Sequence, residues 1–336
     1  MPVISVYHGG TSASVLSGVA PKKHERGLAQ GWTQGSAARN NKFLMSIKPA
    51  SLTGTPWALT LTIPAADAGR GALPDSRDFH RMLRSMIAVM RRLGALRWHW
   101  VIEMTSKKTP HIHMAVWFPV DLDVAKIQLR IRGAWERITA SAGLRVSQAA
   151  QDVKRMDNGG WLQYLSKHGA RGVKHYQRLR EALPDSWRDR PGRLWGYGGD
   201  WPSVSERKPI RKSMGTRAFW TYRRWVAAWC RANASKTRNE RLKRRYIRQA
   251  RAMLKCGRRS LSEVRPISVW IPEAVTKRFL EALEAEYDRR LFEADGDLEV
   301  CEDWLVEDYK PSQAIAIHER EEWTDAMHRV IVTTAS

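Results

Sequence analysis

Two alternating runs separated by a short polar segment constrain this chain more than any other feature. Residues 96–104 and 111–118 carry their bulky apolar side chains at every second position, and the intervening 105–110 reads Thr-Ser-Lys-Lys-Thr-Pro. A period of two marks a strand with one buried face, and so short a polar linker brings two such strands back antiparallel. The segment therefore predicts a β-hairpin.

Upstream, Trp57, Leu59, Leu61 and Ile63 alternate with Ala58, Thr60 and Thr62, which predicts a further strand ended by Pro64. Phe79, Leu83, Met86, Ile87, Met90 and Leu93 recur at helical spacing, with Asp75 or Ser76 placed to cap the start and Gly94 to close the end. A second helix over 124–142 follows from Ile127, Ile131, Trp135 and Ile138, with Gly143 behind it. Strand, helix, hairpin, helix predicts an α+β fold, an antiparallel sheet with helices packed on one face.

The rest of the chain divides by composition. Residues 1–50, rich in Gly, Ser, Ala and basic residues, read as an N-terminal arm in which 43–47 forms a helical turn or an edge strand. The α+β domain is expected over 51–205, a basic helical region over 206–262 and an acidic C-terminal region over 263–336. Lys and Arg number 57 against 34 Asp and Glu, a formal charge of +23, which points to a polyanionic partner, nucleic acid first. Arg223, Arg224, Lys243, Arg244 and Arg245 are the candidate phosphate contacts in the basic region, and Trp220, Trp225 and Trp229 lie among them. Neither a long apolar span nor a signal-like N-terminus is present, so no membrane role is expected. The 3 cysteines make neither a disulfide framework nor a zinc pattern, which fits a reducing cytoplasm.

The chemistry concentrates on His111-Ile112-His113. Side chains alternate along a strand, so the two imidazoles share the face opposite Ile112, Met114, Val116 and Phe118. On the neighbouring strand the same parity groups His99, Val101 and Glu103, and on the upstream strand Thr60 and Thr62. Two histidines and a carboxylate make a three-ligand divalent-metal site with positions open to substrate oxygens. Glu103 is the preferred third ligand because a carboxylate offsets cation charge; whether it or His99 faces the pair depends on a hairpin register that the turn does not fix.

These residues resemble the rolling-circle replication initiators of the HUH endonuclease superfamily. Trp57-Ala58-Leu59-Thr60-Leu61-Thr62 is similar to their first motif, Pro110-His111-Ile112-His113-Met114 to their paired-histidine motif, and Tyr164-Leu165-Ser166-Lys167 to their tyrosine motif, in the same order. Lys42-Phe43-Leu44 and the stretch 169–177 are more loosely similar to replication proteins of filamentous bacteriophages. The resemblance implies an antiparallel sheet of about five strands, a Mg²⁺ or Mn²⁺ ion held by His111, His113 and an acidic residue, and attack by a tyrosine on one DNA strand to leave a 5′-phosphotyrosyl link that can later be rejoined. Tyr164 is the expected nucleophile, with Lys167 favouring its phenolate; Tyr176 is the alternative. Arg171 and Lys174 are further expected DNA contacts. The chain has no GxxxxGK[ST] phosphate loop, so strand separation is left to a host helicase, with the origin as single-stranded or supercoiled DNA and the bacterial cytoplasm as the setting.

Two other readings use the same residues. A plasmid relaxase or single-strand transposase shares the paired-histidine and tyrosine apparatus. A non-enzymatic single-strand binder would stack bases on Trp220, Trp225 and Trp229 and neutralise phosphates with arginines, although tryptophans at helical spacing also serve as core.

Overall fold

The computed structural model describes residues 2–15, 31–65, 72–119, 123–156, 173, 175–210, 215–254 and 267–294. In chain order the elements are β1 (Pro2–Tyr7), β2 (Gly10–Val15), α1 (Gln34–Ser46), β3 (Thr55–Thr62), α2 (Ser76–Arg92), β4 (Arg97–Met104), β5 (Pro110–Phe118) and α3 (Val124–Ala140). There follow β6 (Asp152–Arg155), β7 (Trp195–Gly199), β8 (Ser205–Pro209), α4 (Gly215–Lys236), α5 (Glu240–Leu254), β9 (Ile267–Trp270) and α6 (Glu273–Ala294). They form two compact units, an internal one over 21–203 and one made from both chain ends, 1–20 and 204–336.

The internal unit is built on a five-stranded antiparallel sheet in the order β6-β3-β5-β4-β7. The expected hairpin is β4 and β5, closed by a turn in which Lys108 takes a positive φ of 57°. Parity along the strands assigns the faces. Trp57, Leu59 and Leu61 of β3, Ile112, Met114 and Val116 of β5, and Trp100 and Ile102 of β4 enter one apolar core with Phe79, Leu83 and Met86 of α2 and Ile131 and Trp135 of α3. Full burial of a Leu, Ile or Phe side chain stabilises by roughly 1.5–3 kcal/mol, so this layer fixes which face of each strand turns inward. Asp75 caps α2 by accepting from the Asp78 amide at 2.8 Å, and Gly94 behind it adopts φ 86°.

Two strands carry almost no alternation signal. β6 buries only Val153 of its Asp-Val-Lys-Arg, and β7 is Trp-Gly-Tyr-Gly-Gly. The glycines of β7 have a steric reason: a Cβ on Gly198 would stand 2.4 Å from Cζ2 of Trp98, and one on Gly196 2.6 Å from Cζ2 of Trp100. Bare backbone on that edge strand leaves room for two indoles.

The opposite face of the sheet is also partly covered. Residues 43–47, read as a helical turn or an edge strand, are the helical end of α1 and the first residue beyond it; Asn40 and Phe43 lie against the face that carries the histidines.

The unit of chain ends has a four-stranded antiparallel sheet, β8-β1-β2-β9. Residues 2–15, read as part of an arm, form its central hairpin, with Tyr7 paired to Gly10 across the turn. Ile4 and Ala13 join Phe219, Tyr222, Val226, Val269 and Phe279 in a second core. Trp225 and Trp229, each 8% exposed, belong to that core. Burial raises the Tyr222 phenol well above its usual range, and its hydroxyl lies 2.6 Å from Thr11 Oγ1.

Candidate metal centre

β3, β5 and β4 place the polar residues in rows across the sheet. Thr62 pairs with His111 and His111 with Glu103; Thr60 pairs with His113 and His113 with Val101. Directly paired side chains on one face have Cβ atoms about 4.5–5.5 Å apart, so this register alone brings Glu103, His111 and His113 together. Their candidate ligand atoms all lie within 4.8 Å of one another. His111 Nε2 and His113 Nε2 are 2.7 Å apart, and Glu103 Oε2 is 3.8 Å from His113 Nε2.

His99 falls one pair further along, opposite Ala115, and has a different role. Its Nε2 is 2.7 Å from Asn40 Oδ1, and its ring stacks on Phe43 at 5.6 Å with an interplanar angle of 11°. The register therefore separates the two candidates that parity left equivalent: Glu103 joins the pair, while His99 fastens α1 to the sheet.

The donor set fits a small divalent ion. Two imidazole nitrogens and a carboxylate oxygen suit Mn²⁺ and allow Mg²⁺. Adjacent ligands of an octahedral ion at ~2.1 Å stand about 3 Å apart, close to the observed separations of 2.7 and 3.8 Å. His113 Nδ1 lies 3.2 Å from Thr60 Oγ1. With Nε2 turned to a metal, Nδ1 carries the proton and donates to that hydroxyl, which fixes the ring's tautomer.

Sequence reasoning missed Arg178. It lies in the single 3-10 turn Tyr176–Arg178, and its Nε donates to Glu103 Oε1 at 2.9 Å with both side chains 0% exposed. An ionised carboxylate buried this completely costs several kcal/mol unless a cation compensates it, and Arg178 supplies that charge. Nothing local in the sequence ties positions 75 residues apart. Tyr176, the alternative nucleophile, is 58% exposed in the same turn. Tyr164, Lys167, Arg171 and Lys174 lie outside the described residues.

The expected DNA contacts of the end unit separate by position. Arg224 and Arg244 are exposed. Lys243 is half-buried, 3.6 Å from Glu240, and Arg245 lies over the Trp270 ring at 5.0 Å, where burial lowers its pKa. Arg223, expected among the phosphate contacts, is instead 1% exposed: its Nε donates to Met253 O at 2.7 Å and Nη2 to Ala252 O at 3.3 Å. It satisfies carbonyls that the C-terminus of α5 would otherwise leave open. Arg241, Arg244, Arg248 and Arg251 form an exposed stripe along α5, and Arg231 of α4 joins the last two around an open depression floored by Ala252 and Leu254.

Residues 56–169 match the replication-associated protein ORF2/G2P family, a span that includes Glu103, His111, His113 and Tyr164. A protein of Xylella fastidiosa (strain 9a5c) that carries a replication-protein name is 39% identical over 288 residues, covering 83% of this chain and 95% of its own. The chain belongs to the ORF2/G2P replication-associated family. Another relative, the replication-associated protein G2P of Pseudomonas phage Pf3, is 37% identical over 257 residues, 76% of this chain and 86% of the phage protein. A second Xylella fastidiosa (strain Temecula1) relative bearing a replication-protein name is 37% identical over 275 residues, 80% of this chain and 99% of its own. No solved structure matches. For an ORF2/G2P protein the metal-type cluster thus sits inside the family-defining segment, while the basic helices α4 and α5 lie outside it. Among the described residues no helix is long and apolar enough to cross a membrane.

Proposed function

We propose that this chain initiates rolling-circle DNA replication by nicking one strand of an origin, with Tyr164 as nucleophile and Glu103, His111 and His113 as ligands of a Mg²⁺ or Mn²⁺ ion. The observation that carries the reading is the convergence of those three side chains on one face of the sheet, inside the segment shared with replication-associated proteins.

The tyrosine oxygen forms a bond to the phosphorus of one phosphodiester while the bond from phosphorus to the 3′ oxygen breaks. The 5′ phosphate is left on the tyrosine, and the departing oxygen takes up a proton as a 3′ hydroxyl. A free tyrosine has a pKa of about 10, so its reaction near neutrality needs neighbouring positive charge; Lys167, three residues on, supplies it. A bound divalent ion would polarise the scissile phosphate and stabilise its developing charge. His111 and His113 would hold that ion through Nε2 and Glu103 through Oε2, with Thr60 3.2 Å from His113 Nδ1 to hold the ring. Because the phosphotyrosyl link conserves a reactive ester, a 3′ hydroxyl can later reverse the step and no nucleotide phosphate loop is needed. The exposed arginines of α4 and α5 would add affinity for the phosphate backbone without reading sequence.

The test is incubation of the full-length protein with supercoiled origin-bearing DNA, with Mn²⁺, with Mg²⁺ and with EDTA. Metal-dependent open circles carrying protein on the 5′ end support the reading. Metal-dependent binding without strand cleavage at any DNA would reject it in favour of a non-enzymatic binder.

A further inference from the structure

We propose that Arg178 is a positioning residue for the metal-ligating carboxylate: it holds Oε1 of Glu103 so that Oε2 is presented to the histidine pair. The inference rests on the reading of Glu103, His111 and His113 as metal ligands.

A glutamate's terminal torsion is broad and its two oxygens are interchangeable, so a buried glutamate has no intrinsic preference for which oxygen faces a metal. Here the two oxygens have different neighbours. Oε1 accepts from Arg178 Nε at 2.9 Å, while Oε2 lies 3.8 Å from His113 Nε2. The division of labour is set by where the guanidinium sits, and that guanidinium is itself held. Its Cζ is 4.0 Å from the centre of the Trp32 ring, and Trp32 Nε1 donates to the carbonyl of Ile102 at 3.2 Å. Ile102 immediately precedes Glu103 in β4, so Trp32, Ile102, Glu103 and Arg178 close a ring of contacts around the carboxylate.

Lysine would not reproduce this arrangement. A planar guanidinium can stack on an indole while aiming an N–H in its own plane at a carboxylate; an ammonium is a point charge without a plane. The arginine's charge, taken alone, disfavours a dication nearby, so a gain in metal affinity from Arg178 comes through its contact with Glu103 and not from the field of the guanidinium itself. Partners that orient a ligand typically contribute 10–100-fold to metal affinity.

The test measures Mn²⁺ affinity in the full-length protein from the free-ion signal in electron paramagnetic resonance, with circular dichroism to confirm folding. Arg178→Gln is expected to weaken Mn²⁺ binding by about 10–100-fold, and to add little in a Glu103→Gln background, where there is no carboxylate to orient. Arg178→Lys, which keeps a charge opposite Glu103, is expected to recover only part of the loss; if Arg178→Gln does not fold, a several-fold weakening in Arg178→Lys carries the test. A folded Arg178→Gln or Arg178→Lys protein with parental affinity, while His113→Ala has lost it, would overturn the proposal and leave the metal reading standing. A full-sized Arg178→Gln effect that persists without the Glu103 carboxylate would equally overturn it. Parental affinity in His113→Ala would remove the metal reading and this inference with it.

Discussion

Glu103 faces His111 directly across the β4–β5 hairpin, and His99 faces Ala115 two pairs away on the same side of the sheet. Sliding this register by two residues in the direction that puts Val101 opposite His111 would preserve the parity of every buried apolar position yet draw Glu103 away from His113. Pairing, and not parity, makes the site.

This contrast gives the first expectation. Glu103→Gln should reduce metal-dependent nicking by at least ~100-fold, consistent with loss of a charged ligand, while leaving DNA binding near parental. His99→Ala should keep its nicking rate at saturating metal but lose about 2–3 kcal/mol of stability, from a buried hydrogen bond and an aromatic stack. Nicking rates at saturating Mn²⁺ together with urea denaturation separate the two effects. Equal loss of nicking in both variants would contradict the assignment.

Tyr164→Phe should bind metal and DNA as the parent does yet yield no protein-linked 5′ DNA. Tyr176→Phe should still form the adduct. Peptide mapping of trapped adducts by mass spectrometry gives the answer directly, and a nucleotide on Tyr176 would transfer the nucleophile's role to the exposed tyrosine of the Arg178 turn.

The arginines of the end unit should divide into two classes. Replacing Arg231, Arg248 and Arg251 together by Gln removes exposed charge, so the slope of log affinity against log salt should fall by about 2–3 for three lost phosphate contacts. Stability should stay within ~0.5 kcal/mol for each change. Arg223→Ala should act oppositely, costing about 3 kcal/mol or more by opening a core position and leaving carbonyls unsatisfied. Fluorescence anisotropy across a salt series and thermal melts check both halves; an unchanged salt slope in the triple variant would mean that those arginines face only solvent.

A pH effect follows at the start of α6. The Lys277 ammonium, 2.7 Å from Glu273 Oε1, and His8, 3.4 Å from Oε2, hold the Glu273 carboxyl below its usual range. A depressed carboxyl contributes stability that is present above the ordinary carboxylate pKa of about 4.3 and is lost as pH falls through the lower folded value. Glu273→Gln should therefore denature at a lower urea midpoint than the parent at pH 7, and the two midpoints should converge as pH falls below the ordinary carboxylate range. A midpoint difference that does not shrink with acid would argue against this carboxylate as its source.

Much of this architecture could be read from the sequence because the relevant signals were local. The alternation of Trp57 to Thr62 located β3, and the six core-facing residues from Phe79 to Leu93 located α2. Parity put Glu103, His111 and His113 on one face, but register depends on pairing between strands, which is why His99 stayed a candidate until the ladder was in view. β7 escaped because its glycines answer to Trp98 and Trp100 nearly a hundred positions earlier. Arg178 escaped for the same reason. The hairpin of β1 and β2 was legible in Val3, Ile4 and Val6 followed by Gly9-Gly10; the Gly and Ser around it drew the reading toward an arm.

That hairpin makes the end unit discontinuous, with the whole site-bearing unit inserted between β2 and β8. On a ribosome the first strands emerge well before β8 and β9, the neighbours that flank them in the sheet. The internal unit can complete its own sheet once β7 has been made, whereas the basic unit must wait for β9 and α6. Synthesis order therefore favours maturation of the Glu103, His111 and His113 cluster ahead of the arginine-bearing helices. A chain released early would carry the three-residue cluster without the completed unit that bears the exposed arginines of α5.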